Sequence, residues 1–219
     1  MIEDLLVLVK FGKRQYIEKL LKEGSVFFNK PEEYVDSKIQ GQSDKLEGAE
    51  WIVNNGFEKI SYNHPKIGSG SFKLKDDKGQ LIQYNNNFLS NSLYGITKDD
   101  FIKHNLIFSI GERMKNFGDT ALMIKKPYRF LNTIAKELKN INIQFEINKV
   151  DYKNLSKDGE IKINPFLKDK QFEYQNEYRI IIERLNNNTN EILIGSLEDY
   201  SLISDSKSMI ETVWNVNMK

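Results

Sequence analysis

The sequence predicts a single α+β domain that contains more strand than helix. Short β-branched apolar runs recur along the chain, and two other segments carry apolar residues at helical spacing. No internal repeat, long linker or break in composition divides the 219 residues. A chain of this length can bury a sizeable core, so one domain is sufficient to account for it.

Six segments are predicted to be strands because their apolar residues are β-branched or alternate with polar ones. They are residues 5–9, 26–28, 106–110, 121–124, 141–150 and 178–182. Residues 192–194 predict a shorter strand, and the tail at 211–216 predicts an edge strand.

Two helices follow from apolar stripes of helical period. The first covers residues 13–24, with apolar positions 16, 17, 20 and 21 and Gly24 as its stop. The second starts near Pro127, which suits a first helical turn, and carries its stripe through Lys139. Residues 196–203 predict a turn or a short helix.

The stretch at about 51–95 predicts a β-rich insertion or meander. Residues 51–53 and 59–62 are expected to be strands, and the Gly/Ser-rich residues 67–72 a turn. Asp-Asp-Lys-Gly at 76–79 predicts a hairpin that joins 72–74 to 81–84. Gly68-Ser-Gly-Ser71 lacks the spacing and the lysine of a phosphate-binding loop.

Charge and composition exclude several classes of protein. Lys plus Arg number 32 and Asp plus Glu 31, so bulk charge does not favour nucleic acid, although a local basic patch is still compatible with it. The absence of Cys removes disulfides, thiolate nucleophiles and cysteine zinc sites. Neither His64 nor His104 has a second His one turn away, so both are expected to be solvated and dispensable, and no metal is expected.

The apolar run at 5–9 is too short for a signal core or a membrane span, so a soluble, cytoplasmic protein with no membrane partner is expected.

The strongest candidate for chemistry is Glu177, which directly precedes a buried strand. A carboxylate at that place is held by a rigid element and can still face a cleft. The alternative is a solvated loop in which Glu177 pairs with Arg179 or Lys170. Similarly, Asp44 and Glu47 predict either a turn with local capping or a substrate loop over the cleft.

Several short motifs follow one another in a fixed order along the chain. A first strand ends in Lys10-Phe-Gly12, a helix closes on Lys22-Glu-Gly24, and a late Gln-x-Glu opens a strand at Gln175. This order resembles the ADP-ribosyltransferase fold. Phe172-Glu-Tyr-Gln-Asn-Glu-Tyr-Arg179 is also similar to the late motif of an uncharacterised bacterial family with this layout, as is Phe117-Gly-Asp-Thr-Ala-Leu122 to its middle segment. The resemblance implies a mostly antiparallel, split β-sheet core with a few flanking helices.

The resemblance also implies a function: an NAD-dependent transferase that modifies a protein or nucleic acid, as a toxin or a phage-conflict effector. NAD would be the substrate, and no metal would take part. Glu177 would be the catalytic carboxylate, and Gln175, two residues earlier on an extended chain, would orient the acceptor. The residues assigned to NAD binding are Lys10, Phe11, Phe28, Tyr34 and Arg179, and those assigned to the substrate loop are Asp44 and Glu47.

Two alternatives stay open at this point. The chain could keep the fold as a catalytically inactive module that binds a nucleotide signal or a partner protein. It could instead be a nuclease with Glu47, Asp119 and Glu177 as metal ligands.

Overall fold

A computed structural model describes residues 4–35, 37, 43–54, 59–73, 80–85, 87–157, 159–184 and 190–215. The chain is a mixed α+β structure of mostly antiparallel strands with a few helices. The strands are β1 (Leu5–Gly12), β2 (Ser25–Phe27), β3 (Ala49–Asn54), β4 (Lys59–His64), β5 (Gly68–Lys73), β6 (Leu81–Tyr84), β7 (Phe88–Thr97), β8 (Ile107–Phe108), β9 (Thr120–Ile124), β10 (Phe145–Lys149), β11 (Asp151–Lys153), β12 (Gly159–Lys162), β13 (Leu167–Asp169), β14 (Glu177–Glu183), β15 (Glu191–Leu193), β16 (Ser201–Asp205) and β17 (Trp214–Asn215). The α-helices are α1 (Arg14–Glu23), α2 (Glu32–Val35), α3 (Lys98–Lys103), α4 (Pro127–Asn140) and α5 (Ser206–Glu211), and the 3₁₀ helices are Glu112–Phe117, Lys170–Gln175 and Glu198–Tyr200.

The main sheet has six antiparallel strands in the order β10-β14-β7-β1-β9-β16. Apolar side chains alternate between its two faces, as the period of a strand requires. On one face, Leu8, Leu122 and Ile180 pack with apolar residues of α1 and α4. On the other face, Val9 and Tyr94 pack with residues of α3, α5 and the 3₁₀ helix Glu112–Phe117. Both faces are therefore covered, and β14 is buried from its first residue through Ile182.

The sheet opens between β1 and β7. The two strands pair only as far as Val9 and Tyr94, while β1 stays on β9 through Gly12 and β7 stays on β14 back to Phe88. The place that β1 leaves is taken by Asn29, which exchanges backbone hydrogen bonds of 2.8 and 2.9 Å with Ser90. Polar groups of two neighbouring central strands thus face an opening inside the sheet.

The other described strands form smaller sheets. β12, β3 and β6 form an antiparallel sheet over a third apolar cluster that includes Ile52 and Leu155. β11 and β13 pair in parallel, and β4 pairs with β5 as a hairpin. The remaining pairs are β15 with β2 and β17 with β8.

The main elements agree with the sequence predictions. Residues 5–9, 121–124 and 178–182 are strands, and both predicted helices form. Pro127 occupies the first turn of α4.

Two predicted strands are largely wrong. Of residues 106–110 only Ile107–Phe108 are extended, because Asn105 and Leu106 adopt positive φ and turn the chain. Of residues 141–150 only Phe145–Lys149 form β10, because α4 continues to Asn140 and a turn follows.

The stretch at 51–95 also differs from its prediction. The predicted Gly/Ser turn is strand β5, and the turn lies earlier, at Pro65. β6 pairs with β3 and not with β5, since β5 pairs with β4. The predicted hairpin turn at 76–79 lies outside the described residues. The end of the stretch, β7, is a central strand of the main sheet.

Gly24 ends α1 and packs against Gly195, which follows β15 in the chain. Its φ is +69°, and an added Cβ would lie 2.1 Å from the carbonyl oxygen of Gly195. We expect Gly24→Ala to lower the free energy of unfolding by more than the roughly 1–2 kcal/mol of left-handed strain alone. Gly159→Ala is the matched control, because Gly159 also has a positive φ but open space around it. If urea denaturation showed the same loss in free energy of unfolding for both variants, the close contact with Gly195 would add nothing to the strain of a positive φ.

Candidate functional site

Glu177 lies at the point where the chain enters the central strand β14. The 3₁₀ helix Lys170–Gln175 ends just before it, and Asn176 takes a left-handed conformation with φ 36°. The Asn176 amide donates hydrogen bonds to Gly95 O and Asp100 Oδ2 at 2.7 and 3.0 Å, which stabilises that turn. The Glu177 backbone N–H donates to the hydroxyl oxygen of Tyr152 at 2.9 Å. The backbone on both sides of Glu177 is therefore fixed.

The Glu177 carboxylate is buried and is bonded by cations. Oε1 accepts from Arg179 Nε at 2.7 Å and from the Ser92 hydroxyl at 2.5 Å, and Oε2 accepts from Lys168 Nζ at 2.8 Å. Burial alone would raise the pKa of this carboxyl, but the charges and hydrogen bonds of Arg179 and Lys168 outweigh it and hold the pKa well below its usual range. Glu177 is therefore ionised at neutral pH.

Arg179 connects Glu177 to a second buried carboxylate. Its Nη2 donates to Glu47 Oε2 at 3.0 Å, and Nη1 lies 2.8 Å from Glu47 Oε1 and donates to Pro165 O at 2.5 Å. The side chains of Arg179 and Glu47 are 3% and 2% exposed. The predicted pairing of Glu177 with Arg179 is present, but it is a buried pair and not a solvated one. Removing one member of such a pair leaves an uncompensated charge, which is strongly destabilising.

Lys168 is the cation that sequence reasoning missed. It lies on the short strand β13, and its Nζ contacts Gln175 Oε1 at 3.0 Å and Glu177 Oε2 at 2.8 Å, with Glu47 Oε2 3.6 Å away. The predicted alternative partner was Lys170, which is exposed. β13 is a three-residue polar strand, and its parallel pairing with β11 has no signal in the sequence.

Gln175 reaches the cluster by a different route from the one predicted. The prediction assumed an extended chain from Gln175 to Glu177, but Gln175 ends a 3₁₀ helix and Asn176 is left-handed. The period-two reasoning is therefore wrong. Gln175 nevertheless lies beside Glu177, because Lys168 donates to both side chains.

Lys10 approaches the same place from β1. Its Nζ donates to Ser92 O at 2.7 Å and to Asn91 Oδ1 at 3.3 Å, in the opening between β1 and β7. Burial lowers the pKa of Lys10 to about 8, and the negative charge of Glu177 acts in the opposite direction. Ser92 thus contacts Lys10 through its carbonyl and Glu177 through its hydroxyl.

The loop at 43–48 brings two carboxylates into the interior. The Asp44 side chain accepts from the Leu46 N–H at 3.0 Å, which is the local capping that the sequence predicts. The loop is also anchored, because the Asp44 N–H donates to Tyr34 O and the Tyr84 hydroxyl donates to Lys45 O. Both carboxylates, Asp44 and Glu47, are 4% exposed.

The three aromatic residues predicted to bind NAD lie in different parts of the protein. Tyr34 accepts a hydrogen bond from Asn29 Nδ2 at 2.7 Å, and burial raises the pKa of its hydroxyl. Phe28 is wholly enclosed in the core under α1 and α4, and Phe11 is packed in the core of the opposite face. Stacking on either ring would require a rearrangement, so the role of the two rings in NAD binding stays a prediction.

The three carboxylates of the nuclease alternative do not converge. Asp119 accepts from the Arg14 N–H and the Thr120 hydroxyl at the start of α1, away from the contacts of Glu47 and Glu177. Across the described ranges, no group of three or more His, Asp or Glu side chains is placed to hold a metal ion. His64 and His104 are both exposed.

Comparison with protein-family models, curated proteins and solved structures finds no match to this chain. Within the described ranges, none of the helices combines the length and the hydrophobicity that a bilayer crossing needs.

Asp44 gives a pH-dependent prediction. Burial raises its pKa to about 6, so the folded state binds this proton more tightly than the unfolded state does. Stability is therefore lost as the pH rises through about 4 to 6, and Asp44→Asn should restore roughly 2–3 kcal/mol at pH 7.5. The gain should shrink to roughly 0.5 kcal/mol near pH 4, because the folded-state carboxyl is then protonated and the unfolded-state carboxyl is about half protonated.

Urea denaturation at the two pH values measures this gain. Asp99→Asn, at an exposed position of α3, is the control and should change stability little at either pH. A gain from Asp44→Asn that is the same at both pH values would contradict the assignment.

Proposed function

We propose that this chain is an NAD-dependent ADP-ribosyltransferase that modifies a macromolecular target, with Glu177 as its catalytic carboxylate. The observation that carries the proposal is an ionised carboxylate at the first residue of a central strand, beside an opening in the sheet. Lys10 lies in that opening and shares Ser92 with Glu177. This arrangement supports the resemblance carried by the late Gln-x-Glu motif and by the first strand.

The chemistry of the proposed reaction requires such a carboxylate. Cleavage of the bond between nicotinamide and ribose builds positive charge on the sugar, and a carboxylate hydrogen-bonded to the ribose 2′-hydroxyl stabilises that charge. Ser92 already donates a hydroxyl hydrogen bond to Glu177 Oε1. A ribose hydroxyl would make the same kind of bond from the side of the opening.

The other polar side chains of the cluster match two further needs of the proposed reaction, binding of the NAD diphosphate and contact with the acceptor. Lys10, Lys168 and Arg179 supply cations of the type that bind a diphosphate. Gln175 would orient the acceptor, and its side chain is bonded to the same ammonium group as Glu177.

A second candidate is a catalytically inactive module that binds a nucleotide or a partner protein. It is favoured by a specific observation: both oxygens of Glu177 are already bonded by protein groups, and the side chain is 4% exposed. In that case the charges of the cluster stabilise the fold and take no part in turnover.

Incubation with NAD labelled in the nicotinamide ring separates the two candidates. The transferase should release labelled nicotinamide, and the release should increase when cell extract supplies the acceptor. An adenine-labelled sample should transfer its label to a macromolecule. Binding of NAD in calorimetry without release in either sample would favour the binding module.

A further inference from the structure

The outward side of α4 concentrates positive charge. Residues 125–140 contain five Lys or Arg and a single acidic residue, Glu137, although the net charge of the whole chain is only +1. At about 3.6 residues per turn, the exposed polar positions in the body of the helix fall within an arc of roughly 100°. The apolar positions that pack in the core lie on the opposite side. The exposed arc, called the basic face below, consists of Arg129, Asn132, Lys136, Lys139 and Asn140.

The protein does not neutralise the cations of the basic face. Among the described residues, no carboxylate forms an ion pair with Arg129, Lys136 or Lys139. Glu137 is half-buried at the margin of the face, where it accepts a hydrogen bond from the Asn140 amide at 3.4 Å. The helix α1 differs, because all three of its basic residues contact a carboxylate. Unpaired cations on one surface attract an anionic partner.

Arg129 is held in place at one end of the basic face. Its Cζ lies 4.6 Å from the centroid of the Tyr200 ring, which is a cation–π contact. Asp199, which precedes Tyr200 in the chain, forms no ion pair with Arg129 in the part of the chain that the structure describes. A positioned guanidinium without a carboxylate partner is suited to a phosphate, which it can bond through two N–H groups at once.

The dimensions of the basic face suit double-stranded DNA. At about 1.5 Å per residue, Arg129 and Lys139 lie about 15 Å apart along the helix axis. B-form DNA carries one negative charge per roughly 1.7 Å of its axis, and its major groove, about 12 Å wide, admits an α-helix. Asn132 lies between Lys136 and Lys139 around the helix, and an Asn amide there can bond the edge of a base. The face therefore offers cations for phosphates and an amide for the groove.

Other anionic partners fit the basic face less well. It carries no apolar side chain that could enter a membrane, whereas helices that bind at a bilayer surface insert an apolar face. Proteins that bind single strands present several aromatic rings, but on α4, which the structure describes in full, Tyr128 is the only exposed ring. The major groove of duplex RNA is too deep and narrow for side chains to read.

We infer that the basic face of α4 binds double-stranded DNA. Arg129, Lys136 and Lys139 contact phosphates, and the Asn132 amide faces the major groove. This binding function goes beyond the proposed transferase activity and does not depend on it. It is measured without NAD, so the failure of either proposal leaves the other standing.

The test is fluorescence anisotropy of a labelled duplex of roughly 20 base pairs with the full chain, from low to high salt. Replacing Arg129, Lys136 and Lys139 together by Gln should weaken binding at low salt by about tenfold or more. The slope of log affinity against log salt should also fall by roughly 2–3, at about 0.9 per phosphate contact. All three positions are exposed, so the melting temperature should change little.

The matched control replaces Arg14, Lys19 and Lys22 together by Gln, and so removes the same charge from the exposed side of α1. It should change the affinity by less than about twofold, since these cations are paired within the protein. Equal losses of affinity in the two triple variants would mean that DNA responds to total charge and not to the basic face, and would overturn the proposal.

A single position gives a second test with a closer control. Asn132→Glu should weaken duplex binding by about tenfold, because the new carboxylate repels phosphates and pairs with Lys136 one turn further on. Asn132→Gln keeps the amide and adds no charge, so it should stay within about threefold of the unchanged chain. If Asn132→Glu bound the duplex as well as Asn132→Gln does, α4 would not be the contact surface.

Competition identifies the class of partner. Unlabelled single-stranded DNA, duplex RNA and polyglutamate, each at the same concentration of negative charge, should displace the labelled duplex at least about fivefold less well than duplex DNA does. Equal competition by single-stranded DNA or duplex RNA would exclude contact in the major groove. Equal competition by polyglutamate would make the basic face a site for acidic protein. Each of these results would show that the proposal is wrong.

Discussion

Glu177→Gln is expected to slow nicotinamide release by roughly a hundredfold or more. Gln keeps the size of the side chain and one acceptor but loses the negative charge that, in the proposed reaction, stabilises the developing positive charge on the ribose. The same change leaves Arg179, which is buried, and Lys168, whose side chain is 11% exposed, with Glu47 as their counter-charge, so it should also lower stability by up to about 3–5 kcal/mol. Rates must therefore be compared per folded molecule, at a temperature where the variant is fully folded.

Leu138→Ala is the matched control for that loss of stability. Leu138 is fully buried on α4 and belongs to the apolar core, so its truncation should cost about 2–5 kcal/mol without touching the ionic cluster. It should release nicotinamide at the rate of the unchanged chain. If both variants lost activity to the same degree, or if Glu177→Gln turned over normally, Glu177 would be a structural residue and the binding module would be the better assignment.

Arg179→Met is expected to give the largest loss of stability in the cluster, about 3–5 kcal/mol in urea denaturation. It leaves the carboxylates of Glu47 and Glu177 in the interior without the guanidinium that bonds both of them. Arg14→Met is the control, because it breaks an exposed pair with Glu18 and should change stability far less.

A double-mutant cycle isolates the buried pair. In a background that already carries Glu47→Gln, Arg179→Met should cost less than it does alone, by a coupling energy of roughly 0.5–3 kcal/mol. Additive losses would mean that the two side chains do not interact in solution as their contacts indicate.

The parts of the fold that could be predicted are those with a strong local signal. The uninterrupted apolar run of β14 identified a strand buried on both faces. β7 is also buried on both faces, but Ser90, Asn91 and Ser92 interrupt its apolar pattern, and Asn91 and Ser92 bond groups of the ionic cluster. The helix α3 has a local signal as well, since Thr97 and Asp100 form a capping box at its start.

The candidate site could be predicted only in part, for a similar reason. Glu177, Arg179 and Glu47 were named because carboxylates and basic residues stand out next to strands and turns. Their mutual contacts depend on tertiary pairing, which sequence spacing does not encode. Lys168 was missed because it lies in a polar strand that is defined only by its partner.

The cluster has a consequence for how the chain becomes functional during synthesis. Its members come from distant positions: Glu47 and Arg179 are 132 residues apart, and Ser92 and Glu177 are 85 apart. Contacts of such separation form late, after the intervening segments have folded. A nascent chain that has not yet emerged past β14 lacks both Glu177 and Arg179, so Lys10 and Lys168 are without the charge of Glu177, and Glu47 is without the guanidinium that bonds it. Any reaction that uses Glu177 therefore begins only after β14 has been synthesised and has joined the sheet.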